Sequence, residues 1–263
     1  MTDVLLIGCG RMGGSLLKGW RESGAVDHAI VVDPALPSLP GVTVVASLSE
    51  VADPLPGTIL LAVKPQMLDQ VMPGLAERLP DGALVISIAA GKPIAYFAGR
   101  LGKPAAIVRT MPNTPAAVGR GITVCCAGPG VPAADREVAD RLMKAVGEVA
   151  WIEDESLMHA VTAVSGSGPA YVFHLIEALR DAAEAAGLPP ELAARLARAT
   201  VTGAGELAYQ SSDDPAKLRI DVTSPGGTTA AALAVLMGDD GLTELMTRAV
   251  AAATARSEEL AKG

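Results

Sequence analysis

Val4-Leu5-Leu6-Ile7-Gly8-Cys9-Gly10-Arg11-Met12-Gly13 is the stretch that decides the fold. Four apolar residues read as a buried strand, and the G-x-G-x-x-G turn leads straight into a helical pattern over 12–23. Such a turn brings backbone close to a pyrophosphate and lets the helix pack tightly on the strand. It also aims the unpaired N–H groups and the positive end of the helix at the phosphates. A glycine motif alone is weak, but a strand before it and a helix after it are the context that makes it a dinucleotide signal. Gly8, Cys9, Gly10, Arg11, Met12 and Gly13 are therefore candidate cofactor contacts.

Further short apolar runs follow at 29–32, 43–45, 58–63, 83–88, 105–108 and 122–126, each bounded by Gly, Pro or Asp. Apolar on both faces, they suit a parallel sheet covered by helices, and helical patterns at 66–78 and 133–146 alternate with them. This is the pattern of an α/β fold with a Rossmann-like, doubly wound sheet. Near residue 155 the strand signals end and long Ala- and Leu-rich helical patterns take over, at about 167–186, 190–210, 227–236 and 242–262, with a shorter one opened by Asp214-Pro215. The expected organisation is a dinucleotide-binding domain over 1–155 and an all-helical domain over 156–263. Small residues such as Ala182, Ala183, Ala193, Ala194 and Ala197 dominate these helices. So little bulky apolar surface points to a helical domain completed by a second chain.

Composition narrows the function. Of 263 residues, 50% are hydrophobic and only 3% aromatic, so Ala, Val, Leu, Ile and Met must fill the core. A formal net charge of −8 argues against nucleic-acid binding, which needs a basic surface. No apolar run reaches the roughly 18 residues of a membrane span, and the start shows neither a basic n-region nor a cleavage signal. Three cysteines, two of them the adjacent Cys125 and Cys126, offer neither a disulfide framework nor zinc-ligand spacing, so no metal is expected and the cytoplasm is the expected compartment.

Other strand ends supply further candidates. Asp33 closes the second run, 20 residues after Gly13, where an acid commonly accepts from a ribose 2′-hydroxyl; the other reading is an Asp capping the next turn. No Lys or Arg follows it in Pro34-Ala35-Leu36-Pro37-Ser38 to hold a 2′-phosphate. Val63-Lys64-Pro65-Gln66 and Ser87-Ile88-Ala89-Ala90-Gly91 end the fourth and fifth runs, pointing toward the same crevice, with Lys64 open to a catalytic role or to a place held by strand-end carbonyls. Arg109-Thr110-Met111-Pro112-Asn113-Thr114-Pro115, after the sixth run, is expected near the nicotinamide end. In the helical half, Ser224-Pro225-Gly226-Gly227-Thr228-Thr229 is a rigid small-residue loop feeding a helix. It reads either as an anion cradle suited to a small carboxylate or as an ordinary helix start. Ser165-Gly166-Ser167-Gly168-Pro169-Ala170-Tyr171 has the same look. His28, His159 and His174 form no acid–base team, and Glu153-Asp154-Glu155 reads as a solvated linker. The pattern suggests hydride chemistry, in which the cofactor does the difficult step.

With those segments in view, the chain resembles pyrroline-5-carboxylate reductases over essentially its whole length, above all in Asp221-Val222-Thr223-Ser224-Pro225-Gly226-Gly227-Thr228-Thr229. The resemblance implies reduction of (S)-1-pyrroline-5-carboxylate to L-proline with NADPH or NADH, and a helical domain that interlocks two subunits. It assigns the substrate carboxylate to Ser224, Gly226, Gly227, Thr228 and Thr229, and the hydroxyl donor to the ring nitrogen to Thr229. Cofactor contacts fall on the glycine turn, on Ala62, Val63, Lys64 and Pro65, and on Ala89, Ala90 and Gly91. Two departures stand out. Ala46-Ser47-Leu48-Ser49-Glu50 lacks the Asn that members often carry after the third strand. Leu218-Arg219-Ile220-Asp221-Val222 places its acid one position later than usual. The first, with Asp33, leaves the coenzyme open. Competing readings are a β-hydroxyacid dehydrogenase relative, which usually needs a helical-domain Lys, and a non-catalytic dinucleotide sensor.

Overall fold

The computed structural model describes residues 2–262. Its first part alternates β1 (Asp3–Ile7), α1 (Arg11–Ser23), β2 (His28–Val32), β3 (Thr43–Val45), β4 (Thr58–Leu61), α2 (Leu68–Arg78), β5 (Leu84–Ser87), α3 (Ile94–Leu101), β6 (Ala106–Met111), β7 (Gly121–Ala127), α4 (Ala133–Lys144) and β8 (Gly147–Ile152). A short α5 (Met158–Val161) runs into a π-turn at Thr162–Gly166. Then come α6 (Gly168–Ala185), α7 (Pro190–Gln210), α8 (Pro215–Asp221), α9 (Thr228–Leu236) and α10 (Leu242–Lys262).

The strands form one sheet in the order β3-β2-β1-β4-β5-β6-β7-β8. Strand order reverses between β1 and β4, the switch point at which open α/β sheets place ligands. The fold class is the expected one, with two differences. β6 and β7 pair antiparallel, so the sheet is mixed rather than parallel. β8, parallel to β7, is an extra edge strand that the sequence hid: Glu148 and Ala150 point to solvent and break the apolar run.

Alternation along the strands builds two cores. Val4 and Leu6 face one side with Leu60, Ile86, Leu16 and Trp20, while Leu5 and Ile7 face the other with Ile59, Leu61, Met72 and Phe97. Each face thus receives one large buried ring. Trp20 also donates its indole N–H to the Leu142 carbonyl at 2.8 Å, tying α1 to α4. The close approach of α1 to the end of α4 leaves no room for a side chain at Gly19, whose Cβ would lie 2.6 Å from the Ala145 carbonyl oxygen.

The residues form two compact units, one comprising those up to Gly166 together with those from Ala253 onward, the other Ser167–Ala252. The first unit runs past residue 155 and takes the end of α10 with it. His159 Nδ1 lies 2.9 Å from Ser257 Oγ, an anchor for that returning segment. In the second unit Ala193 and Ala197 are the fully buried hydrophobics among the described residues, whereas Phe173 is 62% and Val235 77% exposed. Among the described residues no helix is long and apolar enough to cross a membrane.

One sequence expectation is corrected. Glu155 is not a solvated linker residue. Its carboxylate receives the buried Arg109 guanidinium at 2.8 Å and the Ile94 backbone N–H at 2.8 Å, joining β6, α3 and the start of the 156–166 segment. Arg109 is therefore a structural cation buried in the sheet. Glu155→Ala should cost about 2–4 kcal/mol, because it strands a buried guanidinium. Glu155→Gln, which keeps an acceptor for Ile94, should cost less. Chemical denaturation of the two variants checks both.

Candidate functional site

The crevice at the switch point is built by the glycine turn. Gly8 has φ +91°, and a Cβ there would strike Val63 Cγ1 at 2.8 Å and the Ala62 backbone at 2.9 Å. At Gly13 a Cβ would collide with the Gly8 carbonyl oxygen, so α1 rests on the turn itself. Gly10 differs, since a Cβ there meets nothing within 4 Å. The protein's own packing does not require glycine at that position, and the open space leaves room for an outside group to approach the backbone. Gly10 caps α1, so the N–H groups of the first turn, Arg11 and Met12 among them, open toward this space.

Asp33 holds the turn in shape. One carboxylate oxygen accepts the Cys9 N–H at 2.7 Å and the other accepts the Ala35 N–H at 2.9 Å. The same side chain thus braces the glycine turn and caps the bend after β2. Partial burial, and then the Asp33 carboxylate, push the Cys9 thiol up from its ordinary value, which disfavours the thiolate.

A cavity of about 530 Å³ extends from the turn, with Gly8, Gly10, Asp33, Ser47, Ala62 and Lys64 in its wall. Met67, Gln70 and Val71 of the α2 entry also line it, residues that the sequence did not single out because nothing but their place after β4 marks them. Ser47 Oγ is 2.8 Å from Ser49 Oγ and donates to Glu50 at 2.9 Å. Lys64 is exposed, and its carbonyl accepts the Met67 N–H as the chain turns into α2. On the neighbouring strand end, Ser87 Oγ accepts the buried Ala89 N–H at 3.2 Å, and Gly91 turns with φ +77°. These residues fit a dinucleotide: a backbone cradle, free N–H groups and an apolar-walled cleft at the carboxyl ends of β1, β2 and β4. A second hollow of about 910 Å³ opens at the other end of the sheet, against Asp3, His28, Thr43 and Thr58, where the helix N-termini do not point.

Asn113 ties three segments together. Its side chain donates to the Ser165 carbonyl at 3.2 Å and accepts the Ile122 N–H at 2.9 Å, stapling the loop after β6 to the π-turn and to β7.

The loop of the helical unit is equally defined. Gly227 N–H donates to the Ser224 carbonyl at 3.0 Å, closing a turn with Pro225 second and Gly226, at φ +69°, third, the residues such a turn requires. Thr223 Oγ1 donates to the Arg219 carbonyl at 2.6 Å, and Asp221 pairs with Lys217 at 2.7 Å, fixing the entry to the loop. The first backbone bond of α9 is Ala231 N–H to the Gly227 carbonyl, so the N–H groups of Thr228, Thr229 and Ala230 remain available. Thr228 is exposed and Thr229 half-buried. A small anion fits this loop; among the described residues no cluster of His, Cys, Asp or Glu is arranged to hold a metal.

Comparison with known proteins gives concordant results. A family model described as pyrroline-5-carboxylate reductase dimerisation matches residues 155–260, and one described as NADP oxidoreductase coenzyme F420-dependent matches residues 3–91. The pyrroline-5-carboxylate reductase of Pseudomonas aeruginosa is 42% identical over 98% of this chain and 97% of its own length. That of Synechocystis is 47% identical over 78% of this chain and 75% of its own. Among solved structures, the Coxiella burnetii pyrroline-5-carboxylate reductase matches with TM-score 0.92 at 36% identity, covering 100% of this chain and 99% of that one. The Plasmodium falciparum enzyme, solved with NADP bound, matches with TM-score 0.83 at 30% identity, covering 99% and 98%.

The two glycines make opposite predictions. Gly10→Ala should fold with a loss of no more than about 1 kcal/mol yet bind a nicotinamide dinucleotide at least roughly tenfold more weakly. Gly13→Ala should lose about 1–3 kcal/mol of stability outright, because α1 must shift. Thermal melts beside calorimetric titration of the dinucleotide separate the two.

Proposed function

The chain belongs to the pyrroline-5-carboxylate reductase family, and from that membership we propose how its residues carry out the reaction. The protein is an NAD(P)H-dependent oxidoreductase that reduces (S)-1-pyrroline-5-carboxylate to L-proline. The observation that carries the reading is the intact Ser224–Thr229 turn, with its free N–H groups at the start of α9, in a chain that matches these enzymes end to end.

When bound, the reduced nicotinamide supplies the hydride that the C=N carbon accepts. The chain supplies position. The glycine turn, with Gly8, Cys9, Gly10, Arg11, Met12 and Gly13, holds the pyrophosphate, and Ala62, Val63, Lys64, Pro65, Ala89, Ala90 and Gly91 form the remaining cofactor wall. Ser224 and the N–H groups from Gly226 to Thr229 hold the substrate carboxylate. The Thr229 hydroxyl donates a hydrogen bond to the ring nitrogen, which withdraws electrons from the C=N bond and makes its carbon a better hydride acceptor. A hydroxyl does this without being a strong acid, and the proton that ends on nitrogen is restored from water. Fixing the carboxylate and the nitrogen together leaves the ring no freedom to tumble, and this orientation supplies most of the acceleration.

The protein is a homo-oligomer, and we assign the contact to α6–α10. The exposed Phe173, Leu175, Leu192, Leu196 and Leu207 support this, since burying each such side chain is worth about 1.5–3 kcal/mol. Proline biosynthesis is the process the reaction serves. The cytoplasm is the compartment we assign, supported by the free thiols of Cys9, Cys125 and Cys126; burial, then the neighbouring Asp140 and Cys126, push Cys125 up to about 12.

An NAD(P)H-oxidation assay with pyrroline-5-carboxylate beside a panel of 2-keto and 3-hydroxy acids tests the reaction; turnover of an acid in the panel with none of the imine would overturn it. Thr229→Ala should lower kcat roughly ten- to a hundredfold and Thr229→Ser should restore most of it; unchanged turnover in the alanine variant removes the hydroxyl from the reaction. Phe173→Glu should shift the protein toward single chains in sedimentation velocity, whereas a wild-type protein sedimenting as a single chain would sink the assigned contact.

A further inference from the structure

We infer that Asp33 sets the coenzyme choice of this enzyme, in favour of the unphosphorylated adenosine ribose of NADH and against the 2′-phosphate of NADPH. The inference rests on the dinucleotide site proposed above and specifies its ribose end.

The geometry of Asp33 carries the argument. The residue follows directly on β2, in the wall of the crevice cavity, and its two oxygens are held by different backbone groups, Cys9 N–H at 2.7 Å and Ala35 N–H at 2.9 Å. Rotating the carboxylate away would free both amides and loosen the glycine turn. The charge is therefore fixed where the ribose of a dinucleotide lies in this fold. A carboxylate offers about four acceptor sites, so two bonds leave room for a pair of ribose hydroxyls, which are donors. A 2′-phosphate offers acceptors only and brings about −1.5 to −2 of like charge.

The surroundings do not compensate. The sequence from Pro34 to Val63 contains no Lys or Arg. Ser47, the hydroxyl nearest to hand after β3, already donates to the Glu50 carboxylate, a second negative group on that side. Arg21 donates to the Pro40 carbonyl, but it belongs to the last turn of α1, some 15 Å along the helix from the glycine turn. Arg11 opens α1 at the opposite, phosphate-facing end. Lys64 is the cation in the cavity wall, beyond β4 and so about two strand spacings, roughly 10 Å, from the end of β2. One flexible ammonium at that distance offsets Asp33 but does not make a phosphate site.

The test is calorimetric titration of the protein with NAD+ and NADP+, and with the fragments 5′-AMP and adenosine 2′,5′-bisphosphate, at low salt. Wild type should bind NAD+ at least roughly tenfold more tightly than NADP+, with the fragments in the same order, and the gap should narrow as salt is raised. Asp33→Asn, which keeps one acceptor and loses the charge, should shrink the ratio by roughly tenfold, mainly by tighter NADP+. Ala35→Arg leaves Asp33 in place and adds the missing cation at an exposed position; it should tighten NADP+ roughly tenfold and leave NAD+ nearly unchanged, so the inference stays testable if Asp33→Asn fails to fold. NADP+ binding at least as tightly as NAD+ to wild type, or a folded Asp33→Asn with an unchanged ratio, overturns the inference while leaving the dinucleotide site intact. Binding of neither nucleotide overturns the site itself, and the inference falls with it.

Discussion

Helix α1 lies so close to the strand ends that no Cβ fits at Gly13, and the rest of the nucleotide half follows from that contact. A helix seated directly on the Gly8 carbonyl has its N-terminus in the crevice between β1 and β4, and its later turns must meet α4, where Gly19 allows a second close approach and Trp20 a long-range hydrogen bond. The first glycine contact thus sets a binding geometry, the second a packing geometry. Asp33 completes the arrangement from the end of the neighbouring strand β2 by holding the Cys9 amide, between Gly8 and Gly10.

The helical half obeys a different constraint. Its helices carry Ala where a self-sufficient bundle would carry Leu or Phe at the centre, so they pack closely but bury little, and most of their large apolar side chains face outward in a single chain. Exposed apolar surface of that kind marks an interaction site rather than a finished bundle. The Ser224–Thr229 turn occurs in this half, so the reading of the site and the need for a second subunit meet in one region.

Much of this was legible in the sequence because the signals were local. The glycine turn needs only six residues to declare itself, the apolar runs β1 to β7 are bounded by Gly, Pro or Asp, and Asp214-Pro215 marks the start of α8, where the Asp214 side chain accepts the Ala216 N–H at 2.8 Å. What was not legible was long-range. β8 escaped because an edge strand with one wet face has no apolar run. Glu155 looked like one of three surface acids until the fold brought Arg109, 46 residues earlier, against it. Asp33 had two readings, ribose partner or turn cap, and local pattern offered no way to see that one carboxylate spans two amides. Asn113 likewise resembled a turn residue, whereas its amide bridges segments far apart in the chain.

The return of α10 to the nucleotide half has a consequence for synthesis. Residues from Ala253 onward belong to the same compact unit as β1, with Ser257 beside His159 and the Leu260 carbonyl 3.8 Å from where a Cβ on Gly91 would stand. The nucleotide half therefore cannot be finished as it emerges from the ribosome. It must wait, with its wall beside Gly91 uncovered, while the 86 residues of Ser167–Ala252 are made. The amino-terminal half is translated first but closed last, when Ser257 reaches His159 and the Leu260 backbone reaches Gly91.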